Sequence, residues 1–162
     1  MLSPDERARA GTLPLGPRKR RYVARQAALR SILAERVGTP PEQLLFERSV
    51  RGKPALAGGR DVRFSVSDSG DLALVALAAR DVGVDVERVR SRPAAARAAA
   101  LGIDRFFERW TRFEAIGKAR GSGLFARADE GGLICEALEV APGYAAAVAV
   151  AAQGIEIRLR PY

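Results

Sequence analysis

The sequence predicts an α+β fold made of two similar small lobes, each a helix packed on an antiparallel sheet. Three observations predict it. A helical pattern followed by strand, turn and strand occurs on both sides of the chain's midpoint. Gly70–Ala79 (GDLALVALAA) and Gly143–Ala152 (GYAAAVAVAA) are identical at six of ten positions, although alanine richness inflates such matches. A chain of 162 residues is long enough for one domain, or for two lobes sharing one core. The division falls at residues 1–80 and 81–162.

Residues 1–17 open with a short charged turn of helix, and Gly11-Thr12-Leu13-Pro14-Leu15-Gly16-Pro17 must be a loop. From Arg18 to Val37, Tyr22, Leu29, Ile32, Leu33 and Val37 recur at helical spacing, with Arg18, Arg21 and Arg25 on another face. Gly38 and Pro40-Pro41 stop this helix. A short strand at Leu44–Arg48 leads into a glycine turn around Arg51-Gly52-Lys53-Pro54. Strands follow at Val62–Val66, Leu72–Ala78 and Val82–Glu87, separated by Ser67-Asp68-Ser69-Gly70 and a tight turn at Arg80-Asp81. Residues 91–103 read as weak helix or linker. Asp104 caps a helix that runs to Ala119 and ends at Arg120-Gly121-Ser122-Gly123. Its apolar positions include Phe106, Phe107, Trp110, Phe113 and Ile116, with Trp110 and Phe113 expected in the core. A β meander of Leu133–Val140, Tyr144–Ala151 and Ile155–Arg160 closes the chain.

Composition removes many chemistries. There is no histidine, which excludes the Ser-His-Asp triad, Cys-His catalysis and histidine-ligated metals. The single cysteine, Cys135, excludes an intrachain disulfide, a zinc ribbon and an iron–sulfur site. Acid–base work falls to Asp, Glu, Lys or Tyr, and a metal would be a hard one such as magnesium. No run approaches the roughly 20 apolar residues of a membrane helix, and the N-terminus lacks a signal-peptide core, so the protein is expected in the cytoplasm. The net charge of +8 favours anionic partners. It comes almost wholly from arginine, with only Lys19, Lys53 and Lys118 as lysines. No helix-turn-helix, zinc or aromatic RNA-binding signature accompanies it, so nucleic acid is not the expected partner.

Three constellations could carry chemistry. In Gly83-Val84-Asp85-Val86-Glu87, residues two apart share a strand face, which sets two carboxylates side by side. Such a pair suits a magnesium ion, and it equally suits a solvated strand face with valines inside. Glu114 and Lys118 stand one helical turn apart in the order that favours an ion pair. They form either a surface pair or a metal carboxylate, or general base, beside a phosphate-gripping lysine. Arg48, Arg51 and Lys53 surround a glycine turn, which fits phosphate binding or an ordinary hairpin.

Taken in order, these segments resemble a 4′-phosphopantetheinyl transferase of the Sfp type. The matching residues begin with Leu2-Ser-Pro-Asp-Glu-Arg-Ala-Arg9, Arg30-Ser-Ile-Leu and Gly52-Lys53-Pro54. Phe64-Ser-Val-Ser67-Asp68-Ser69-Gly70 and Gly83-Val-Asp85-Val-Glu87 follow. Trp110-Thr-x-x-Glu114-Ala-x-x-Lys118-Ala-x-Gly121-x-Gly123-Leu and Ala141-Pro-Gly-Tyr-Ala-Ala-Ala-Val complete the pattern. The resemblance implies a pseudo-two-fold pair of lobes with the active site between them. It implies transfer of phosphopantetheine from coenzyme A to a serine of an acyl or peptidyl carrier protein, releasing 3′,5′-ADP. By position, Asp85, Glu87 and Glu114 would hold Mg2+, Glu114 would also be the base, and Lys118 would contact the diphosphate. Arg9, Arg25, Arg48, Arg51, Lys53, Ser67 and Asp68 would fall in the coenzyme A site. Two lobes in one chain imply a monomer.

The chain departs from the family pattern in three places. Asp68 stands where the family usually has histidine, near a coenzyme A phosphate that a carboxylate repels unless an arginine neutralises it. Phe113 replaces a usual lysine, and the segment between Val89 and Phe106, where the family docks its carrier, is short. These departures leave room for a divergent homologue that binds coenzyme A or a carrier without transfer.

Overall fold

Ser3 and Glu6 fix the start of the first helix through a capping box: Ser3 Oγ accepts from the Glu6 N–H while the Glu6 carboxylate accepts from the Ser3 N–H. In the computed structural model, residues 2–49, 52–58, 61–89, 103–121, 132–151 and 156–161 are described. This helix, α1 (Pro4–Thr12), runs through Gly11 and Thr12, two residues beyond the point where a loop is expected. The Thr12 hydroxyl donates to the Arg9 carbonyl, and the Leu13 N–H reaches Ala10 O. Next, α2 (Pro17–Val37) begins with proline at a position where no N–H is needed, and ends on Gly38 in the left-handed region with φ 65°.

A 3-10 turn (Pro41–Gln43) leads to a small hairpin of β1 (Phe46–Arg48) and β2 (Pro54–Leu56). The second of these is unexpected, because three residues cannot display an alternating pattern. The next hairpin pairs β3 (Arg63–Ser69) with β4 (Leu72–Ala78), turning at Gly70-Asp71. Ser67, Asp68 and Ser69, expected in the turn, are strand residues here. Gly70 adopts φ 61°, and a Cβ there would lie 2.8 Å from the Tyr144 hydroxyl oxygen.

The remaining elements are β5 (Val82–Arg88), α3 (Ile103–Arg120), β6 (Ile134–Ala137) and β7 (Tyr144–Val150). Their strands form an antiparallel sheet in the order β5-β7-β6, with Asp85 opposite Ala147 and Val84 opposite Val148. The expected last strand of the meander is absent from residues 156–161: Ile157 packs on the valine face of the sheet instead of pairing along an edge. Residues 91–102, read as weak helix or linker, lie outside the described residues.

Alternation along the strands stacks these pieces. Phe64, Val66, Val75 and Leu77 on one face of the β3–β4 hairpin pack on Leu29, Leu33 and Ala34 of α2. Leu74, Ala76 and Ala78 on the other face meet Val82, Val84, Val148 and Val150. The opposite side of that sheet, with Ala147 and Ala149, receives Ala115, Ile116 and Ala119 of α3. At Gly83 the approach is backbone on backbone, since an added Cβ would lie 2.0 Å from Ala115 O and 2.3 Å from Ala119 N. Trp110 departs from the core expectation: it is 36% exposed and stacks on Phe106, while Phe107 is buried. No helix among the described residues is long and apolar enough to cross a membrane.

Candidate active site

β3 and β5 lie side by side in parallel, joined through side chains. The hydroxyl oxygens of Ser65, Ser67 and Ser69 accept the N–H groups of Val84, Val86 and Arg88, at 3.1, 3.3 and 3.0 Å. This ladder satisfies the free edge of β5, which would otherwise leave buried donors unpaired. It also orients the carboxylates. The Ser67 hydroxyl donates to Asp85 Oδ1 at 2.7 Å, and that of Ser69 donates to Glu87 Oε2 at 2.9 Å.

Helix α3 supplies the other half. Lys118 Nζ donates to Asp85 Oδ1 at 2.7 Å and to Ser67 Oγ at 3.0 Å. Asp85 is buried, and its Oδ2 has no hydrogen-bond partner; Glu114 Oε1, one turn before Lys118, is buried and unpartnered in the same way. Burial holds the Glu114 carboxyl above its ordinary range; Asp85 and Glu87 push it further up, against an opposing pull from Lys118. Two open carboxylate oxygens in a partly desolvated site fit a hard divalent cation. Among the described residues, however, no three acidic, cysteine or histidine side chains converge closely enough to form a ligand set by themselves.

A groove of about 680 Å³ runs between α1, α2 and the β1–β2 hairpin, a size suited to a cofactor-scale ligand. Arg9, Arg25 and Arg48 line it, with Tyr22 between the first two: their guanidinium carbons lie 6.0 Å (Arg9) and 5.7 Å (Arg25) from its ring centre. Arg25 forms an ion pair with Asp68, so an arginine neutralises the carboxylate that departs from the family pattern. Arg48 also donates to Gly52 O at 2.9 Å. Lys53 is absent from the groove lining and donates instead to Val82 O and Ala119 O. Ser67 belongs to the Asp85–Lys118 cluster, and Arg51 lies outside the described residues.

Sequence reasoning missed Ser65 and Ser69, although serines at alternate strand positions were the available signal. It also missed the ion pair that secures α1. Arg30, almost fully buried in α2, donates to Glu6 at 2.7 Å and to the carbonyls of Pro41 and Leu44, while Gln26 holds the second Glu6 oxygen. A buried arginine with three acceptors braces the wall that presents Arg9.

Known proteins are similar to this chain in sequence. The chain is 34% identical over 145 residues to the 4′-phosphopantetheinyl transferase HetI of a Nostoc species, a match covering 76% of this chain and 61% of that protein. It is 33% identical over 130 residues to the 4′-phosphopantetheinyl transferase AcpT of Escherichia coli, covering 69% and 63%. The chain belongs to the 4′-phosphopantetheinyl transferase superfamily. The 4′-phosphopantetheinyl transferase gsp of Aneurinibacillus migulanus is 28% identical over 129 residues, 65% of this chain and 54% of its own. The chain thus spans about three fifths of the length of HetI and AcpT. No protein-family model matches it.

Proposed function

We propose that this superfamily member transfers 4′-phosphopantetheine from coenzyme A to a serine of an acyl or peptidyl carrier protein, releasing 3′,5′-ADP. The observation that supports it most is the meeting of Asp85, Lys118 and Ser67 at one point, with the open, pKa-raised Glu114 carboxylate one helical turn away. Groove arginines Arg9, Arg25 and Arg48 would bind the anionic nucleotide end of coenzyme A, with Arg51 a further candidate from the sequence pattern. Asp85, Glu87 and Glu114 would hold Mg2+. When bound, that ion neutralises diphosphate charge as the phosphorus–oxygen bond breaks.

The carrier serine oxygen attacks the phosphorus next to the pantetheine. Its proton passes to Glu114, directly or through water, and the 3′,5′-ADP oxygen leaves with the bond's electron pair. A carboxyl raised toward neutral pH is a better base than an ordinary glutamate. Lys118 would follow the charge onto the departing diphosphate oxygen. The net charge of +8 suits an acidic carrier. In this reading, residues 1–80 and 81–162 are pseudo-two-fold-related lobes of an Sfp-type monomer working in the cytoplasm, away from membrane and nucleic acid.

One observation favours a second reading, binding without efficient transfer: Asp68 already engages Arg25, which weakens the groove's hold on phosphate. Coenzyme A with Mg2+ should raise the melting temperature under both readings, and absence of any shift contradicts both. Intact mass of an apo carrier after incubation separates them, since only transfer adds the phosphopantetheine arm.

A further inference from the structure

The family resemblance implies that Lys53 is a coenzyme A ligand, but the surrounding geometry gives it different work. Its ammonium donates to two backbone carbonyls, Val82 O at 3.1 Å and Ala119 O at 2.9 Å. Val82 opens β5, the strand of Asp85 and Glu87. Ala119 lies in the last turn of α3, the helix of Glu114 and Lys118. Carbonyls in a last helical turn lack intrahelical partners and carry the negative end of the helix dipole, so a cation fits there without any ligand.

The neighbourhood makes this contact sensitive to displacement. Beside Lys53, α3 and β5 touch through bare backbone at Gly83, with no side chain to absorb a shift. Gly121 follows the helix in the left-handed region at φ 62°, and the Lys53 Cδ lies 3.5 Å from where a Cβ on Gly121 would project. Lys118 directly precedes Ala119, and Asp85 follows Gly83 by two residues on the same strand face. A slide of α3 along β5 would therefore carry Lys118 away from Asp85 Oδ1. Burial lowers the Lys53 pKa, with Asp81 opposing and Arg63 adding to the fall, as expected for an ammonium held inside the protein.

We infer that Lys53 is a positioning residue, a strut that sets the register of α3 on β5 and thereby the Lys118–Asp85 contact, and not a coenzyme A ligand. The catalytic part of this inference rests on the transferase reading; the placement of the ammonium does not.

Amine acetylation of the wild-type protein, followed residue by residue by mass spectrometry, tests the placement without any assay of transfer. Lys53 should react at least ten-fold more slowly than Lys19, a partly exposed lysine of α2, and coenzyme A should leave its rate unchanged. Fast reaction in the free protein, whether or not coenzyme A slows it, overturns the inference. Steady-state kinetics of Lys53→Met and Lys53→Arg test the consequence. The expected result is a fall in kcat of ten-fold or more in Lys53→Met with the KM for coenzyme A within two-fold of wild type, and partial recovery of kcat in Lys53→Arg. A raised KM for coenzyme A with unchanged kcat contradicts it. Should Lys53→Met fail to fold, the acetylation rates alone decide. Should wild type transfer nothing, the transferase reading fails while the acetylation result still stands.

Discussion

Lys118 donates to Asp85 Oδ1 at 2.7 Å, joining a helix and a strand through residues thirty-three apart in sequence. The contact fills one oxygen of a buried carboxylate and leaves Oδ2 open. Asp85→Asn removes the charge that holds Lys118 and offers a weaker acceptor to Ser67. Equilibrium denaturation should show a loss of about 2 kcal/mol, the scale of a charge-assisted hydrogen bond. Unchanged stability would mean that the ammonium does not sit there in solution.

Glu114 should give the protein a distinctive pH response. Burial raises its carboxyl, helped by Asp85 and Glu87 against Lys118. A raised acid favours the folded state fully below its unfolded range, and that contribution is lost as pH rises through the folded value. Glu114→Gln lacks this loss. Its melting temperature relative to wild type should therefore climb as pH moves from about 4 toward 8. A constant difference across that window counts against the assignment. Transfer by the same variant should fall about 100-fold or more, the usual contribution of a positioned base.

The Glu6–Arg30 pair should act with the opposite sign. Burial raises the Glu6 carboxyl, but Arg30, the Ser3 N–H and Gln26 outweigh it and hold the group below its ordinary range. The resulting stabilisation is present above the unfolded glutamate range and fades as pH falls through the folded value. Arg30→Met should cost about 3 kcal/mol near neutral pH by stranding a buried carboxylate, and less in acid. Urea titrations at several pH values check both the size and the trend.

Asp68→Asn should release Arg25 for an anionic ligand. The KM for coenzyme A should drop several-fold, and the salt dependence of binding should steepen as another cation becomes available. A KM that rises instead would show that the carboxylate holds Arg25 in its useful orientation.

The α+β class, the long α2 helix and α3 were legible because apolar spacing over many residues carries a strong periodic signal. Asp85 and Glu87 were legible as a pair because strand alternation puts them on one face. Whether they were solvated could not be read: the answer depended on α3 covering that face through Gly83, a tertiary event. Ser67–Ser69 read as a turn because serine and aspartate favour turns; their hydroxyls belong to a strand only because β5 offers its edge. Lys53 shows the limit from the other side. Its residue type and its glycine turn suited phosphate, yet two distant carbonyls accept its hydrogen bonds.

The most direct test is the intact mass of an apo acyl carrier protein incubated with the protein, coenzyme A and magnesium. The carrier should gain one phosphopantetheine arm on a serine with wild type, and little or none with Glu114→Gln at equal concentration. Equal gain with both proteins, or none with wild type across acyl and peptidyl carriers, would contradict the account.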